Sequence, residues 1–223
     1  MTEHAESRPR QILVVEDHPL FRAMLAQLIE KEPGLRVCGQ ADNIREAMTM
    51  IEQTEPDAAI VDLTLKGSSG LELLKDLKAK HTRLPVLVLS MHEERLYAER
   101  VLRAGAKGYV TKQESPAEVL VAIRKVLAGG IYVSDRVSGT ILERLGQPGP
   151  AVSPLGVDQL SDREIEVFQL VGQGLNSREI ASQLNLALTT VDCYRARIKG
   201  KLGIKNAAEL YQRSAQWVAE QRL

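Results

Sequence analysis

Cysteine is scarce in this sequence, and its charges cancel. Cys38 and Cys193 are the two cysteines among 223 residues, and they show no CxxC spacing. We interpret them as reduced thiols of a cytosolic protein, because neither a disulfide framework nor a cysteine metal site has this pattern. Lysine and arginine total 29, as do aspartate and glutamate, so the formal net charge is zero. The protein as a whole therefore has no positive electrostatic field that would attract nucleic acid, and any basic binding surface has to be local.

Long apolar runs are also missing. No run approaches the roughly 18 apolar residues of a membrane-spanning helix. Residues 1–9 are polar and mixed in charge, without the apolar centre of a signal peptide. We therefore expect a cytoplasmic protein with no membrane partner. The sequence also lacks a GxxxxGK run followed by Ser or Thr, which excludes P-loop nucleotide enzymes.

Short apolar runs alternate with helical periodicities over residues 11–129. The first predicted strand ends at Val15, and the others cover 35–41, 57–62, 85–90 and 107–111. The predicted helices cover 19–31, 44–53, 69–80, 93–104 and 116–128. This alternation predicts an α/β fold, a doubly wound five-stranded parallel sheet with helices on both faces.

The pattern changes after Gly129 and Gly130. A short helix is predicted over 135–145, and a stretch rich in proline and glycine follows, which is typical of a linker. From Leu160 onward only short helices are predicted. The sequence therefore indicates an α/β domain at 10–130, a linker at 131–158 and a small all-α domain at 159–223.

Polar side chains follow four of the predicted strands at the point where each strand ends. They are Glu16 and Asp17, then Asp62, then Ser90, and finally Lys112. Because the carboxyl ends of parallel strands share one edge of the sheet, we expect these groups to meet there. Three carboxylates, a hydroxyl and an amine suit a phosphoryl group held with a divalent metal.

The chemistry assigns a role to each group. A carboxylate such as Asp62 can attack phosphorus to form an aspartyl phosphate. Mg²⁺ takes oxygen ligands in near-octahedral geometry, and Asp17 and Asp62 are placed to supply them, with Glu16 alongside or acting through water. Lys112 would offer positive charge to the phosphoryl oxygens, and Ser90 would donate its hydroxyl to one of them.

Each of these residues alone also has an ordinary interpretation. An aspartate at a strand end commonly caps a turn or helix. Ser90 is a helix N-cap candidate, and Lys112 a solvated loop cation. The strand-end residues taken together indicate a phosphate site more specifically than any one of them. The gap from Asp17 to Asp62 has the length of two βα units, and the gap from Asp62 to Ser90 has the length of one.

Residues 10–130 resemble the flavodoxin-like receiver domain of response regulators. The matched elements are Glu16-Asp17, Asp62, Ser90-Met91, Tyr109 and Lys112. The resemblance implies that Asp62 accepts a phosphoryl group from a sensor histidine kinase. It also implies that Asp17, Asp62 and the backbone carbonyl of Thr64 hold Mg²⁺.

The resemblance further implies that Ser90 and Tyr109 form a switch pair, in which the hydroxyl turns toward the phosphate and the ring moves inward. Tyr109 has the simpler interpretation of an aromatic residue packed at a strand edge. One departure lies after the acceptor, where receivers often carry Met-Pro and this chain has Leu63 to Gly67 without proline. We expect a less constrained loop there, with an added charge at Lys66.

The all-α region begins with a capping box formed by Ser161 and Glu164. The predicted helices run from there to a stop at 172–174, from 177 to 184, and from a Thr189 cap to about 202, which fits a helix-turn-helix. The third helix and its end carry five cations with no acid between them, Arg195, Arg197, Lys199, Lys201 and Lys205. Such a stripe can neutralise DNA phosphates, although a solvated helix face has the same pattern.

Residues 160–210 resemble the LuxR-type helix-turn-helix. The matched segments are LSDRE at 160–164, NSREIA at 176–181, TV at 190–191 and KLGI at 201–204. The resemblance implies that helix 189–202 enters the major groove of double-stranded DNA. We assign DNA contacts to Thr189, Thr190, Asp192, Cys193, Tyr194, Arg195, Arg197, Lys199 and Lys201.

Two positions of that helix depart from the family. Where the family often has lysine and histidine, this chain has Asp192 and Tyr194. Asp192 either accepts from a cytosine amino group or pairs with Arg195 or Arg197, and the sequence favours the pairing. Tyr194 can still donate to a phosphate oxygen.

The two resemblances together indicate a two-domain response regulator of the NarL/FixJ type. Phosphorylation of Asp62 would alter transcription, with a homodimer of the phosphorylated protein matching two operator half-sites. In the last helix, an apolar stripe that includes Leu210, Tyr211 and Ser214 is either a second dimer contact or core packing.

Two other classes of protein fit the sequence less well. A phosphatase with Asp62 as nucleophile would need a second acid at position 64, which is Thr64. A transcription factor that senses a small ligand would not need the acidic set. We therefore expect a phosphoacceptor that assists its own phosphotransfer and dephosphorylation, rather than an enzyme acting on separate substrates.

Overall fold

The computed structural model of the protein describes residues 8–65, 68–80, 83–91, 94–135, 137–139 and 156–221. The chain divides into two compact units, Met1–Leu142 and Glu143–Leu223. Among the described helices, none is long and apolar enough to cross a membrane.

A five-stranded parallel sheet forms the centre of the first unit, which confirms the predicted fold. Its strands are β1 (Arg10–Val15), β2 (Leu35–Ala41), β3 (Ala58–Asp62), β6 (Val86–Ser90) and β7 (Gly108–Thr111). They lie in the order β2-β1-β3-β6-β7. A two-residue antiparallel pair, β4 (Thr64–Leu65) and β5 (Ser68–Ser69), was not predicted, because strands this short have no periodicity to detect.

Four helices connect the strands and a fifth follows the last strand, all with bounds within one residue of those predicted. They are α1 (Pro19–Lys31), α2 (Ile44–Thr54), α3 (Gly70–Lys80), α4 (Glu94–Ala104) and α5 (Pro116–Leu127). The side chains of His18, Asn43 and Ser115 cap α1, α2 and α5 by accepting from backbone N–H groups. These caps satisfy donors that the first turn of a helix leaves free, so the helices begin at defined positions.

The central strands β3 and β6 are buried at every position because helices cover both faces of the sheet. Ile12 and Val14 of β1 belong to a cluster that contains Leu25 and Ile29 of α1 and Ile123 of α5. The intervening residues of the strand are also fully buried. This packing holds the carboxyl ends of the strands in a fixed arrangement.

The second unit is a small all-α domain, as predicted. After a 3₁₀ turn at Val157–Gln159 come α6 (Asp162–Gly172), α7 (Ser177–Gln183), α8 (Leu188–Leu202) and α9 (Ala207–Gln221). The predicted capping box is present at the start of α6. Asn176 and Glu179 form a second capping box at the start of α7, which fixes the chain entry into the helix-turn-helix.

The predicted cap at Thr189 is wrong. Ala187 occupies the N-cap of α8 without a side-chain hydrogen bond, and its carbonyl accepts from the amides of Thr190 and Val191. Asn185 adopts a left-handed conformation, φ 52°, and Leu186 donates to the carbonyl of Ala181. The turn therefore closes two residues before Thr189, which lies inside the first turn of α8.

Most of the apolar stripe of α9 packs into the domain core. Leu210 and Ser214 are fully buried, whereas Tyr211 is 53% exposed. A Cβ atom on Gly172 of α6 would lie 2.3 Å from the carbonyl oxygen of Ser214, so the two backbones approach closely. Of the two uses that the sequence allowed for this stripe, core packing accounts for Leu210 and Ser214.

The predicted linker lies largely outside the described residues, which exclude 136 and 140–155. Of the predicted helix at 135–145, Asp135 and 137–139 are helical. Before it, Tyr132 forms a parallel bridge with Gly108 of β7. The amide of Tyr109 donates to the carbonyl of Tyr132 at 2.9 Å, so the chain after α5 is attached to the edge of the sheet.

Candidate functional site

The structure brings the predicted strand-end residues to one edge of the sheet. Register pairs Val15 with Val61, Asp62 with Leu89, and Ser90 with Thr111. The polar residues that end or follow these strands therefore lie side by side, as the parallel arrangement requires.

Three carboxylates form a compact cluster at this edge. Oxygen atoms of Glu16, Asp17 and Asp62, one from each residue, all lie within 4.8 Å of one another. Glu16 and Asp62 are buried, and Asp17 is half-buried at the rim. Like charges this close destabilise the cluster unless cations or protons neutralise them.

Lys112 supplies one positive charge to the cluster. Its Nζ lies 2.8 Å from Oδ2 of Asp62 and 2.6 Å from Oε2 of Glu16. The same Nζ lies 4.6 Å from the centre of the Phe21 ring, within the range of a cation–π contact. Three ordinary interactions thus hold the ammonium group over the carboxylate of Asp62.

The charges of the cluster shift the pKa of its members. Burial raises the pKa of Asp62 to about 6, with Glu16 adding to the rise and Lys112 opposing it. Burial by itself lowers the pKa of Lys112, but the carboxylates of Asp62 and Glu16 outweigh it and raise that pKa. The lysine therefore stays charged, and a second cation beside Asp62 would favour the ionised form of its carboxylate.

The loop after β3 positions backbone groups around Asp62. The amide of Thr64 donates to Oδ1 of Asp62 at 3.2 Å. A Cβ atom on Gly70 would lie 2.2 Å from the carbonyl oxygen of Asp62, so only glycine fits there. Gly70 falls inside the predicted helix at 69–80, and the sequence pattern gives no sign of this close approach.

Two residues of α1 complete the site and were also missed. Phe21 covers Lys112 as described above, and Nη1 of Arg22 donates to the backbone carbonyl of Glu16 at 2.5 Å. Their only sequence signal is their position in the first turn of the helix that follows Asp17. A residue in such a turn points back toward the strand end that precedes it.

Ser90 and Tyr109 lie on the neighbouring strands β6 and β7, and both are fully buried. The amide of Lys112 donates to the carbonyl of Ser90 at 2.8 Å, which ties the lysine to the end of β6. Tyr109 stands two residues before Thr111, the register partner of Ser90. Its side chain is buried beside that strand end, and its role in a switch stays a prediction.

The second candidate surface is the outward face of α8. Thr189, Asp192, Cys193 and Arg197 are exposed, and Tyr194 is half-buried. A shallow surface pocket of about 350 Å³ is lined by Thr189, Thr190, Cys193, Tyr194 and Arg197. Buried Val191 and Ile198 anchor the opposite face of the helix in the domain core.

Some of the predicted cations of α8 bond to other helices of the same domain. Arg195 donates to Oγ of Ser177 at 2.9 Å, at the start of α7. Lys201 donates to Oε2 of buried Glu164 at 2.6 Å. The guanidinium of Arg197 lies 6.0 Å from the centre of the Tyr194 ring. Arg195 and Lys201 therefore also hold the helix in place, which sequence spacing does not reveal.

The contact between Lys201 and Glu164 makes the stability of this domain depend on pH. Burial by itself raises the pKa of Glu164, but the bonds from Lys201 and Ser161 outweigh it and hold that pKa below its ordinary value of 4.5. A lowered pKa gives stability that is complete above the ordinary value and is lost as the pH falls through the folded pKa. We expect the second unit to lose stability below about pH 5 for this reason.

Glu164→Gln tests this expectation, because glutamine retains the capping box but not the charge. At neutral pH the variant should unfold at a lower urea concentration, because its free energy of unfolding falls by roughly 1–3 kcal/mol. Between about pH 3 and 5 that free energy should also depend less on pH. Fluorescence of Trp217, the only tryptophan of the sequence, reports the unfolding because it is buried against Phe168. Glu220→Gln, an exposed acid of α9, is the control, and equal pH dependence of Glu164→Gln and the unaltered protein would refute the assignment.

Comparison with known proteins places both units in families. The family described as response regulator receiver domain matches residues 12–124. The family described as bacterial regulatory proteins, luxR family, matches residues 158–214.

Two similar regulators each cover at least 90% of the chain. The response regulator GacA of Pseudomonas viridiflava is 35% identical over 200 residues, 90% of this chain and 92% of that protein. The nitrate/nitrite response regulator protein NarL of Escherichia coli K12 is 31% identical over 221 residues, 98% of this chain and 99% of that protein. A solved two-component response regulator of the LuxR family from Aurantimonas sp. SI85-9A1 is 35% identical, with a TM-score of 0.58 over 63% of this chain and 100% of that chain. The chain therefore belongs to the DNA-binding transcriptional response regulators that join a receiver domain to a LuxR-family helix-turn-helix.

Proposed function

We propose that a sensor histidine kinase phosphorylates this protein on Asp62 in the presence of Mg²⁺, and that the phosphoryl group controls DNA binding by the second unit. The observation that carries the proposal is the environment of Asp62, a buried carboxylate bonded to Lys112 and next to Glu16 and Asp17.

Asp62 is the nucleophile of the proposed reaction. A carboxylate oxygen forms a bond to phosphorus as the bond from phosphorus to the kinase histidine nitrogen breaks, so the phosphoryl group moves without change of oxidation state. Lys112 already touches this carboxylate and would meet the incoming phosphoryl oxygens with its positive charge. The Thr64 amide, which donates to Oδ1, orients the carboxylate.

The carboxylate cluster suits Mg²⁺. The oxygens of Glu16, Asp17 and Asp62 lie within 4.8 Å of one another, and hard oxygen donors are the ligands that this ion prefers. Asp17 and Asp62 would bind it directly, with Glu16 alongside and the backbone carbonyl of Thr64 as a further ligand by resemblance to receivers. The ion would neutralise charge on the phosphoryl oxygens when bound.

The protein is proposed to assist its own phosphotransfer and dephosphorylation, and not to act on separate substrates. A phosphatase that uses Asp62 would need an acid at position 64, and Thr64 stands there. The cluster also lies in the same chain as a DNA-binding domain, which suits a regulator that works in the cytoplasm.

Output would begin at the switch residues. A phosphoryl group adds roughly 1.5–2 negative charges, which attract the hydroxyl of buried Ser90. Tyr109 responds on the neighbouring strand and is bonded through its amide to Tyr132, at the start of the chain segment that leads out of the receiver. We propose that this change favours a homodimer, in which two copies of α8 contact two half-sites of double-stranded DNA.

Mass spectrometry of the intact protein tests the proposal. Incubation with acetyl phosphate and Mg²⁺ should add one phosphoryl group, and chelation of Mg²⁺ should prevent the addition. A folded protein that takes up no phosphoryl group under these conditions would instead favour a regulator that senses a ligand.

A further inference from the structure

Asp192 is an exposed acid in the middle of a helix face that is otherwise neutral or basic. No hydrogen bond or ion pair involves its carboxylate within the part of the chain that the structure describes. The pairing that the sequence favoured is not found, because Arg195 donates to Ser177 and Arg197 lies over the ring of Tyr194. The carboxylate is therefore available to an external partner.

The position of Asp192 places it where base edges are read. It is the fifth residue of the fifteen in α8, and the N-terminal residues of a recognition helix contact bases in the major groove. Small exposed residues, Cys193, Ala196 and Gly200, lie along the same face and allow the helix to approach DNA closely. A carboxylate at this site gains nothing from the phosphate backbone, which repels it.

The chemistry of the carboxylate restricts the base that it can face. An ionised carboxylate only accepts hydrogen bonds. In the major groove, guanine offers only the acceptors N7 and O6, and thymine offers the acceptor O4 and a methyl group. Cytosine and adenine offer amino donors, but adenine places the N7 lone pair beside its donor, and that lone pair repels the second carboxylate oxygen.

We propose that Asp192 selects a cytosine in each half-site by accepting a hydrogen bond from its amino group. This inference rests on the proposed use of α8 as the recognition helix. It assigns a specificity role to a residue that departs from the family pattern, and it predicts a preference that relatives with lysine at this position do not share.

Selection of binding sites from a random duplex library tests the inference. The full-length protein is used with Mg²⁺ and beryllofluoride, together with Asp192→Asn, Asp192→Ala and the control Glu220→Gln. The unaltered protein and the control should select one C·G pair per half-site, by about fivefold or more over the other pairs. Asp192→Asn should shift that position to adenine, because an amide both accepts from N6 and donates to N7.

Asp192→Ala should lose the preference for cytosine at that position and keep the base preferences at the other positions of the site. Asp192 is exposed, so these variants should retain the fold, which Trp217 fluorescence verifies. Identical selected sequences for the unaltered protein and both Asp192 variants would overturn the inference while leaving DNA recognition intact. Failure of the unaltered protein to select any sequence would overturn the proposed function of α8 as well.

Discussion

Replacing Asp62 with asparagine is expected to abolish phosphorylation by acetyl phosphate or by a kinase. The amide nitrogen and oxygen of asparagine are poor nucleophiles, and the substitution removes the negative charge that Lys112 contacts at 2.8 Å. It also removes one of the three carboxylates proposed to hold Mg²⁺. Intact mass after incubation with acetyl phosphate and Mg²⁺ measures the loss, which should be complete.

Asp57→Asn is a matched control because Asp57 lies just before β3, at the opposite end from Asp62. Its carboxylate accepts from the amide of Gln11 at 2.8 Å and from Arg10 at 2.9 Å, far from the cluster. This variant should lose about 1 kcal/mol of stability and keep full phosphorylation. Stoichiometric phosphorylation of Asp62→Asn, or its loss in Asp57→Asn, would show that the acceptor is misassigned.

Removing two cations from α8 should cause the largest loss of DNA affinity. Arg197 is exposed, and Lys199 has no ion pair among the residues that the structure describes. Hydrogen bonds to charged groups contribute roughly 1.5–3 kcal/mol each, so Arg197→Ala with Lys199→Ala should weaken binding about a hundredfold or more. The slope of log affinity against log salt should also fall by roughly 1.8, because about 0.9 counterion is released per phosphate contact.

The control removes the same charge from the other unit. Arg36→Ala with Arg103→Ala disrupts two exposed ion pairs, with Glu30 and Glu99, which contribute little to stability. Fluorescence anisotropy at several salt concentrations compares the two double variants on one DNA duplex. If the salt slope of the α8 variant is unchanged, or if both double variants lose the same DNA affinity, another surface contacts the phosphates.

The convergence of Glu16, Asp17, Asp62 and Lys112 was predictable from sequence because of a general property of parallel sheets. Strands β1, β3 and β6 were visible as continuous apolar runs, each followed directly by a polar residue, and the strand before Lys112 was visible as the short segment from Lys107 to Thr111. Right-handed crossovers then leave one arrangement of the strand ends. The strand pattern alone was therefore enough to predict that these four residues meet at one edge of the sheet.

Other features of the sites depend on contacts between distant residues, which a local pattern does not encode. Lys201 lies 37 residues after Glu164 and was assigned to DNA, yet the structure bonds it to that buried acid. Asp192 was expected to pair with a neighbouring arginine, but Ser177 and Tyr194 engage those arginines first. The start of α8 was misplaced because threonine is a good cap and alanine is a poor one, while the preceding turn decided the position.

The central claim is that a phosphoryl group on Asp62 controls DNA binding by α8. The most direct measurement is the affinity of the full-length protein for a selected duplex, with and without beryllofluoride and Mg²⁺, compared between the unaltered protein and Asp62→Asn. We predict that beryllofluoride tightens binding of the unaltered protein about tenfold or more, as a favoured dimer engages two half-sites, and leaves Asp62→Asn unchanged. Equal responses in the two proteins, or no response of the unaltered protein, would contradict the claim.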